Sequence, residues 1–382
     1  MQLRPHQEQA VKAMLRNTKG QIIVPTGGGK TMCMIDDAMN EFSRSYMGQT
    51  IVVVAPRILL ANQLSAEFLE FIDNAEVLHV HSGETRHYST TQASRISVWS
   101  AKNCAFNQII FTTYHSLHRI QESGIHVDTI YFDEAHNSVQ KNFYQSTEYF
   151  SNHAERCYFF TATPKHSRTP SKAGMNWTKT YGQVICQVPA PKLVNQGYIL
   201  PPKVEVYKSR ILEKDELVAD RDSEQMIDAI DNLKKNKVLI CAKSTKQIVN
   251  LVSHTKFVSE LAWRGYSYML ITSKTGAIID GEKVTREEFF DVLNAWGQDP
   301  DKRFVVLHHS ILSEGMNVKG LEAVLFMRSM DYIGISQTIG RVIRKGAKDK
   351  VFGLVCIPVY SKVGISTATK VEAVVDTIFN KG

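Results

Sequence analysis

The stretch that most constrains this chain is residues 24–31, Val-Pro-Thr-Gly-Gly-Gly-Lys-Thr, which follows directly on the apolar pair Ile22-Ile23. Three consecutive glycines open backbone conformations closed to other residues, so several N–H groups can turn inward onto a polyphosphate. Lys30 is placed to reach the β- and γ-phosphates, and the Thr31 hydroxyl to hold Mg²⁺ at a helix N-terminus. Thr26, Gly27, Gly28, Gly29, Lys30 and Thr31 are therefore the candidate nucleotide-binding residues. Such a loop needs a strand before it and a helix after it, so an α/β layer with a parallel sheet is the first expectation. Val24 stands where the general pattern G-x-x-x-x-G-K-[ST] has its first glycine.

The rest of the chain fits that expectation. Short apolar runs recur at Gln21 to Val24, Ile51 to Ala55, Val77 to Val80, Gln108 to Thr112, Thr129 to Phe132 and Cys157 to Thr161. Continuous apolar runs suit strands buried on both faces, and the amphipathic segments between them suit right-handed helical crossovers. The rhythm breaks at 189–204, where four prolines disfavour helix interiors and central strands. A second series follows: Val238 to Ala242, Ser267 to Ile271, Phe304 to His308, Ala323 to Met327 and Val351 to Ile357. We therefore expect two similar α/β domains in tandem, 1–190 and 205–382, joined by a linker at 191–204. Residues 81–107 are polar and basic, and read as a solvated connection or a nucleic-acid-contacting loop.

Bulk properties narrow the class. A chain of 382 residues exceeds one comfortable core, and 43% hydrophobic with 22% charged residues excludes a disordered chain. A net charge of +7 permits a polyanionic partner without requiring one, because 38 acidic residues oppose 45 basic ones. The cysteines are scattered, with no C-x-x-C pair to start a zinc or redox site, and read as reduced thiols of a cytoplasmic protein. No apolar run is long enough to span a bilayer, and Met-Gln-Leu-Arg-Pro-His-Gln lacks a signal peptide's apolar core. A membrane role is not expected.

The run Thr129 to Phe132 ends in Asp133-Glu134-Ala135-His136. Carboxylates at a strand's C-terminal end lie where ligands bind in such sheets. Phosphoryl transfer to water depends on positioning and charge neutralisation, and two adjacent carboxylates can divide the work. Asp133 would hold Mg²⁺ while Glu134 orients and deprotonates the attacking water.

Pro25 to Thr31 together with Asp-Glu-Ala-His resembles a DEAH-type superfamily 2 helicase. Leu3-Arg4-Pro5-His6-Gln7 resembles the L-R-P-x-Q opening of its restriction-type and excision-repair-type DNA helicases, which implies that Gln7 reads adenine. Ala55-Pro56-Arg57 resembles motif Ia and Thr112-Thr113-Tyr114 motif Ib, implying backbone contacts to nucleic acid by Pro56, Arg57, Thr113 and Tyr114. Thr161-Ala162-Thr163 resembles motif III, which with His136 would couple the nucleotide site to the strand-binding groove. In the second half, 238–245 resembles motif IV and 310–318 motif V, implying strand contacts at Ser244 and Ser310 and a coupling role for Gly315. The family more often has aspartate where Asn317 stands. Gln337-Thr-Ile-Gly-Arg341-Val-Ile-Arg344 matches motif VI, so Gln337 would couple while Arg341 and Arg344, on one helix face, would sense the γ-phosphate and stabilise the transition state.

The resemblance implies two tandem RecA-like P-loop domains, ATP and Mg²⁺ between them, and ATP-driven movement along single-stranded or branched duplex DNA by a monomer, with a targeting protein as a further partner. Lys30, Glu134, Arg341 and Arg344 are the expected catalytic set. An RNA helicase on the same chassis is the alternative, although Ala-Pro-Arg-Ile-Leu-Leu replaces the Pro-Thr-Arg-Glu-Leu-Ala typical of DEAD-box RNA enzymes. An ATP-gated clamp that never translocates is the other.

Overall fold

A computed structural model describes residues 2–45, 47–208, 212–272, 274–309, 320–327, 335, 338–340, 342, 353–359 and 362–381. The chain divides into two compact units, Met1–Val188 and Pro189–Gly382.

The first unit opens with helix α1 (Pro5–Arg16) and continues as β1 (Lys19–Ile23), α2 (Lys30–Arg44), β2 (Thr50–Ala55), α3 (Ile58–Leu69), β3 (Ala75–Val80), α4 (Ala93–Lys102), β4 (Asn107–Thr113), α5 (Leu117–Ser123), β5 (Thr129–Phe132), α6 (Lys141–His153), β6 (Arg156–Thr161), α7 (Thr178–Tyr181) and β7 (Val184–Gln187). Its seven strands are ordered β3-β4-β2-β5-β6-β1-β7, and every pairing is parallel. β2 is buried at all six positions, because helices cover both faces and an apolar side chain on either side of the pleat finds a core. On one face Val52, Val54, Ile110, Ile130, Phe132 and Phe159 pack against Leu117, Ile120 and Phe150 from the helices.

The strand order does the positioning. β5, β6 and β1 lie side by side, with Phe132 opposite Phe159 and Thr161 opposite Ile23. The loops that leave their carboxyl ends therefore emerge together, and these are the Asp133-Glu134 turn, the Thr161–Thr163 turn and the glycine loop.

Residues 81–107 are only partly a connection. Residues 88–90 run parallel to β3, where His79 N–H donates to Tyr88 O and Thr90 N–H to His79 O. α4 then inserts Ile96, fully buried, into the core.

The second unit contains α8 (Ala190–Asn195), β8 (Pro202–Lys208), α9 (Val218–Leu233), β9 (Lys237–Cys241), α10 (Thr245–Ser253), α11 (Phe257–Trp263), β10 (Ser267–Thr272), β11 (Gly276–Ile279), β12 (Glu282–Val284), α12 (Arg286–Gln298), β13 (Phe304–His308), β14 (Ala323–Phe326), β15 (Gly353–Val359) and α13 (Lys362–Val375). The sheet runs β12-β11-β10-β13-β9-β14-β15-β8, parallel except at one edge, where β10–β11 and β11–β12 both pair antiparallel. The stretch 191–204, expected as a linker, holds most of α8 and the start of β8. Among the described residues no helix is long and apolar enough to cross a membrane.

Candidate active site

The glycine loop bends as its composition demands. Gly27 and Gly29 take φ of +84° and +80°, in the left-handed region that side chains resist, and Gly28 N–H donates to Pro25 O across 2.9 Å. A Cβ on Gly29 would lie 2.3 Å from Gln7 Nε2. Gly29 is also the residue before α2, whose first turn carries no acidic side chain, so its N–H groups and partial positive charge await an anion. The Thr26 hydroxyl is buried and has no partner among the described residues. Both observations fit a bound polyphosphate.

The start of α1 clamps this loop from outside. His6 Nε2 donates to Gly28 O at 2.7 Å, and Gln7 Nε2 donates to Gly29 O at 3.2 Å while Gln7 Oε1 accepts from Arg4 N at 2.8 Å. Gln7, expected as the adenine contact, is thus engaged by its amide with the loop's own carbonyls. His6 was not anticipated, since a histidine in a helix's first turn carries no mark of the carbonyl it will meet.

Opposite the loop lie the carboxylates. Asp133 and Glu134 are 6% and 5% exposed, and Lys30 Nζ stands 3.2 Å from Glu134 Oε1. Burial, and then the neighbouring Glu134 charge, push the Asp133 carboxyl well above the usual carboxylate range, while Lys30 pulls it back. Two buried carboxyl groups facing one lysine form an oxygen donor set that suits a divalent cation, whose charge would hold both ionised. Asp133 with the Thr31 hydroxyl could hold it.

Glu134 has φ +45° and ψ +52°, left-handed backbone at a residue with a side chain. From there a chain of polar contacts leads away. His136 Nδ1 lies 3.5 Å from Glu134 Oε2 and 3.0 Å from Thr161 Oγ1, and Thr161 Oγ1 accepts from Thr163 N at 3.1 Å. His136, Thr161 and Thr163, the expected coupling residues of this unit, form one buried line from the carboxylate to the end of β6.

The expected nucleic-acid contacts of the first unit differ in exposure. Arg57 is exposed at the start of α3, but Pro56 and Thr113 are buried. Tyr114 departs from the exposed position a strand contact suggests: it is 2% exposed, and its hydroxyl donates to Asp133 O at 2.8 Å, so its side chain faces the carboxylate site. An aromatic ring at the end of a buried strand packs inward between Phe132 and Phe143. Ser244 caps α10, accepting from Gln247 N at 3.1 Å. Ser310, Gly315, Asn317, Gln337, Arg341 and Arg344 lie outside the described residues.

Sequence reasoning also passed over a buried ionic cluster behind α2. Asp37 is fully buried, receives Arg156 through both terminal nitrogens at 2.8 and 3.0 Å, and accepts from the Tyr131 hydroxyl at 2.6 Å. Arg156 also pairs with Glu41 at 2.9 Å. The signal available was an aspartate at an otherwise apolar helix position, in a charged residue type rarely buried without a partner.

Comparison with known proteins bears on the fold that carries these residues. Residues 1–166 match the family described as Type III restriction enzyme, res subunit. DEAD-box ATP-dependent RNA helicase 46 of Arabidopsis thaliana is 24% identical over 360 residues, 90% of this chain and 49% of that protein. The chain thus spans about half the length of this curated relative. Among solved structures, the ATP-dependent Type ISP restriction-modification enzyme LlaBIII bound to DNA superposes with a TM-score of 0.77 at 18% identity, covering 99% of this chain and 30% of that one. A nuclease-deletion mutant of the Type ISP enzyme LlaGI in complex with a DNA substrate mimic gives 0.70 at 19%, covering 99% and 29%. A fragment of a putative HsdR subunit of a type I restriction enzyme from Vibrio vulnificus YJ016 gives 0.62 at 15%, covering 92% and 62%. At these identities the likeness carries the fold, tandem RecA-like helicase domains. The family match over residues 1–166, together with that fold over the whole chain, makes the chain similar to superfamily 2 helicases of restriction-enzyme type, which are helicase-type ATPases.

Proposed function

We propose that the chain hydrolyses ATP, with Mg²⁺, to drive movement along DNA. The observation that carries the reading is the buried Lys30–Glu134 pair, at 3.2 Å, with Asp133 beside it and an unpartnered Thr26 hydroxyl in the loop. In this reading the glycine loop and the α2 N-terminus bind the phosphates, and Lys30 leaves Glu134 for the γ-phosphate. Glu134, freed of its lysine, orients a water and takes its proton, while His136 and Thr161 keep the carboxylate aimed. Mg²⁺ held by Thr31 and Asp133 would neutralise charge on the phosphate oxygens. Gln7 would turn from Gly29 O to the adenine, and Arg341 and Arg344 would act on the γ-phosphate.

DNA is preferred over RNA because the structural neighbours whose names state a nucleic acid are DNA complexes, and because the opening Leu3-Arg4-Pro5-His6-Gln7 is of the DNA-helicase kind. The second reading, an RNA helicase, rests on the name of the Arabidopsis relative. Arg57 at the exposed start of α3 and Ser244 at the cap of α10 are the residues placed to grip a strand through its phosphates. ATPase rates measured with single-stranded DNA, duplex DNA and RNA, followed by strand displacement on forks, test the proposal. Stimulation by RNA alone would replace it with the second reading, and hydrolysis without displacement or translocation would leave a clamp.

A further inference from the structure

The left-handed backbone of Glu134 is held from both sides by side chains outside the nucleotide loop. The peptide before it presents Asp133 O, which accepts from the Tyr114 hydroxyl at 2.8 Å. The peptide after it presents Glu134 O, which accepts from Asn137 Nδ2 and from Asn137 N, each at 3.0 Å. Left-handed backbone at a non-glycine residue persists only where its surroundings over-determine it. Here the determinants are a hydroxyl and an amide, each aimed at one of the two peptides whose planes set Glu134 φ and ψ.

Tyr114 is itself held by main-chain bonds and packing. Its N–H donates to Ala55 O at 3.1 Å, Asp133 N–H donates to Val54 O at 2.9 Å, and its ring lies 6.0 Å from that of Phe132 and 5.6 Å from that of Phe143. The ends of β2, β4 and β5 are therefore locked into one frame, and the hydroxyl is the frame's only side-chain bond to the Asp133 carbonyl among the hydrogen bonds described. The partner is a carbonyl oxygen, which can only accept, so the hydroxyl is the donor.

We propose that Tyr114 and Asn137 are positioning residues for Glu134: they fix its strained backbone so that the carboxylate faces Lys30 and the attacking water, and neither touches nucleotide. The inference rests on the reading of Glu134 as the base. Relaxing φ by tens of degrees swings the carboxylate away from a water whose placement must hold to within about an ångström, a misplacement that costs about tenfold to a hundredfold in rate. Binding of nucleotide by the glycine loop does not depend on that geometry.

The test uses the full chain with Tyr114→Phe, which keeps the ring between Phe132 and Phe143, and Asn137→Ser as a second variant, which removes the Nδ2 bonds to Glu134 O and His136 and leaves the main-chain bond in place. Expected for each is a fall in kcat of about tenfold or more, with KM for ATP and the affinity for a fluorescent ATP analogue within twofold of wild type. A crystal structure of the Tyr114→Phe protein should show Glu134 outside the left-handed region. Unchanged kcat in both variants, or Glu134 still near +45° in that structure, overturns the proposal. A wild-type protein that hydrolyses no ATP overturns the functional reading instead, and the Glu134 backbone in the variant then still decides the positioning role.

Discussion

Replacing Asp37 with alanine should unfold the first unit at markedly lower temperature. The carboxylate is fully buried and receives three hydrogen bonds, two from Arg156 and one from Tyr131. Removing one member of a buried ion pair costs about 3–5 kcal/mol, because the remaining charge has lost its compensation. Arg156 keeps Glu41 at 2.9 Å, which lowers that figure. The Tyr131 hydroxyl, held protonated by burial and then by the Asp37 charge, keeps no acceptor, which adds about 1–3 kcal/mol. A net loss of about 4 kcal/mol follows, and at roughly 2–4 °C per kcal/mol for a unit of this size Tm falls by about 8–16 °C. Thermal melts of the full chain followed by tryptophan fluorescence measure this, since Trp99 and Trp177 lie in the first unit. The paired change Asp37→Leu with Arg156→Met should be far milder, because both buried charges leave together. A fall of less than about 2 °C for the single variant, or a double variant as unstable as the sum of the singles, would refute the reasoning.

Three further outcomes are expected. Glu134→Gln keeps nucleotide binding but lowers nucleic-acid-stimulated hydrolysis by about a hundredfold or more, read by a phosphate-release assay; wild-type turnover would remove Glu134 as the base. Gly29→Ala forces a side chain into φ +80° and sets its Cβ 2.3 Å from Gln7 Nε2, so binding of a fluorescent ATP analogue should weaken by about tenfold or more, and equal affinity would contradict the loop geometry. His79, buried in β3 against Ser65 and Thr85, is pushed from 6.5 to about 3 by burial and then by His81 and His87. The unfolded chain therefore takes up this proton first, and the stability His79 contributes is whole above pH 6.5 and lost progressively as pH falls toward 3. Melts from pH 7 to 4 should show a shallower acid slope for His79→Gln, and an unchanged slope would reject the assignment.

How far the fold could be read in advance differs from strand to strand for physical reasons. β2 and β13 were plain because a strand covered on both faces is apolar at every position, and both are fully buried. β7 escaped because only Cys186 of its four residues is buried, leaving no pattern. β8 escaped because Pro201 and Pro202 argue against a central strand, and the structure agrees with the rule while defeating the inference: β8 is the edge of its sheet, where a missing N–H is tolerated. The hairpin β11–β12 did carry a signal. Asp280-Gly281, both with positive φ, form the two-residue turn between Ile279 and Glu282, and Asp-Gly between alternating residues is its usual mark.

At the site, what could be read is what a side chain does to a phosphate or a metal, and what could not is what a side chain does to a carbonyl. Gly27, Gly29, Lys30, Asp133 and Glu134 stand out because their chemistry demands those residue types at that spacing, and the order β5-β6-β1 brings their loops together. His6, Tyr114 and Asn137 all donate to main-chain oxygens, of Gly28, Asp133 and Glu134 respectively. Every residue offers such an oxygen, so no spacing announces the partner, and only the fold decides which carbonyl comes within reach. The consequence reaches function. On the proposed reading, a base on left-handed backbone depends on residues that no phosphate-binding pattern names, and a tyrosine whose position suggests contact with a strand acts instead on the geometry of hydrolysis. The donors that fix Glu134 come from the end of β4 and from the turn before α6, so any ligand that shifts either element changes the aim of the carboxylate without touching the nucleotide.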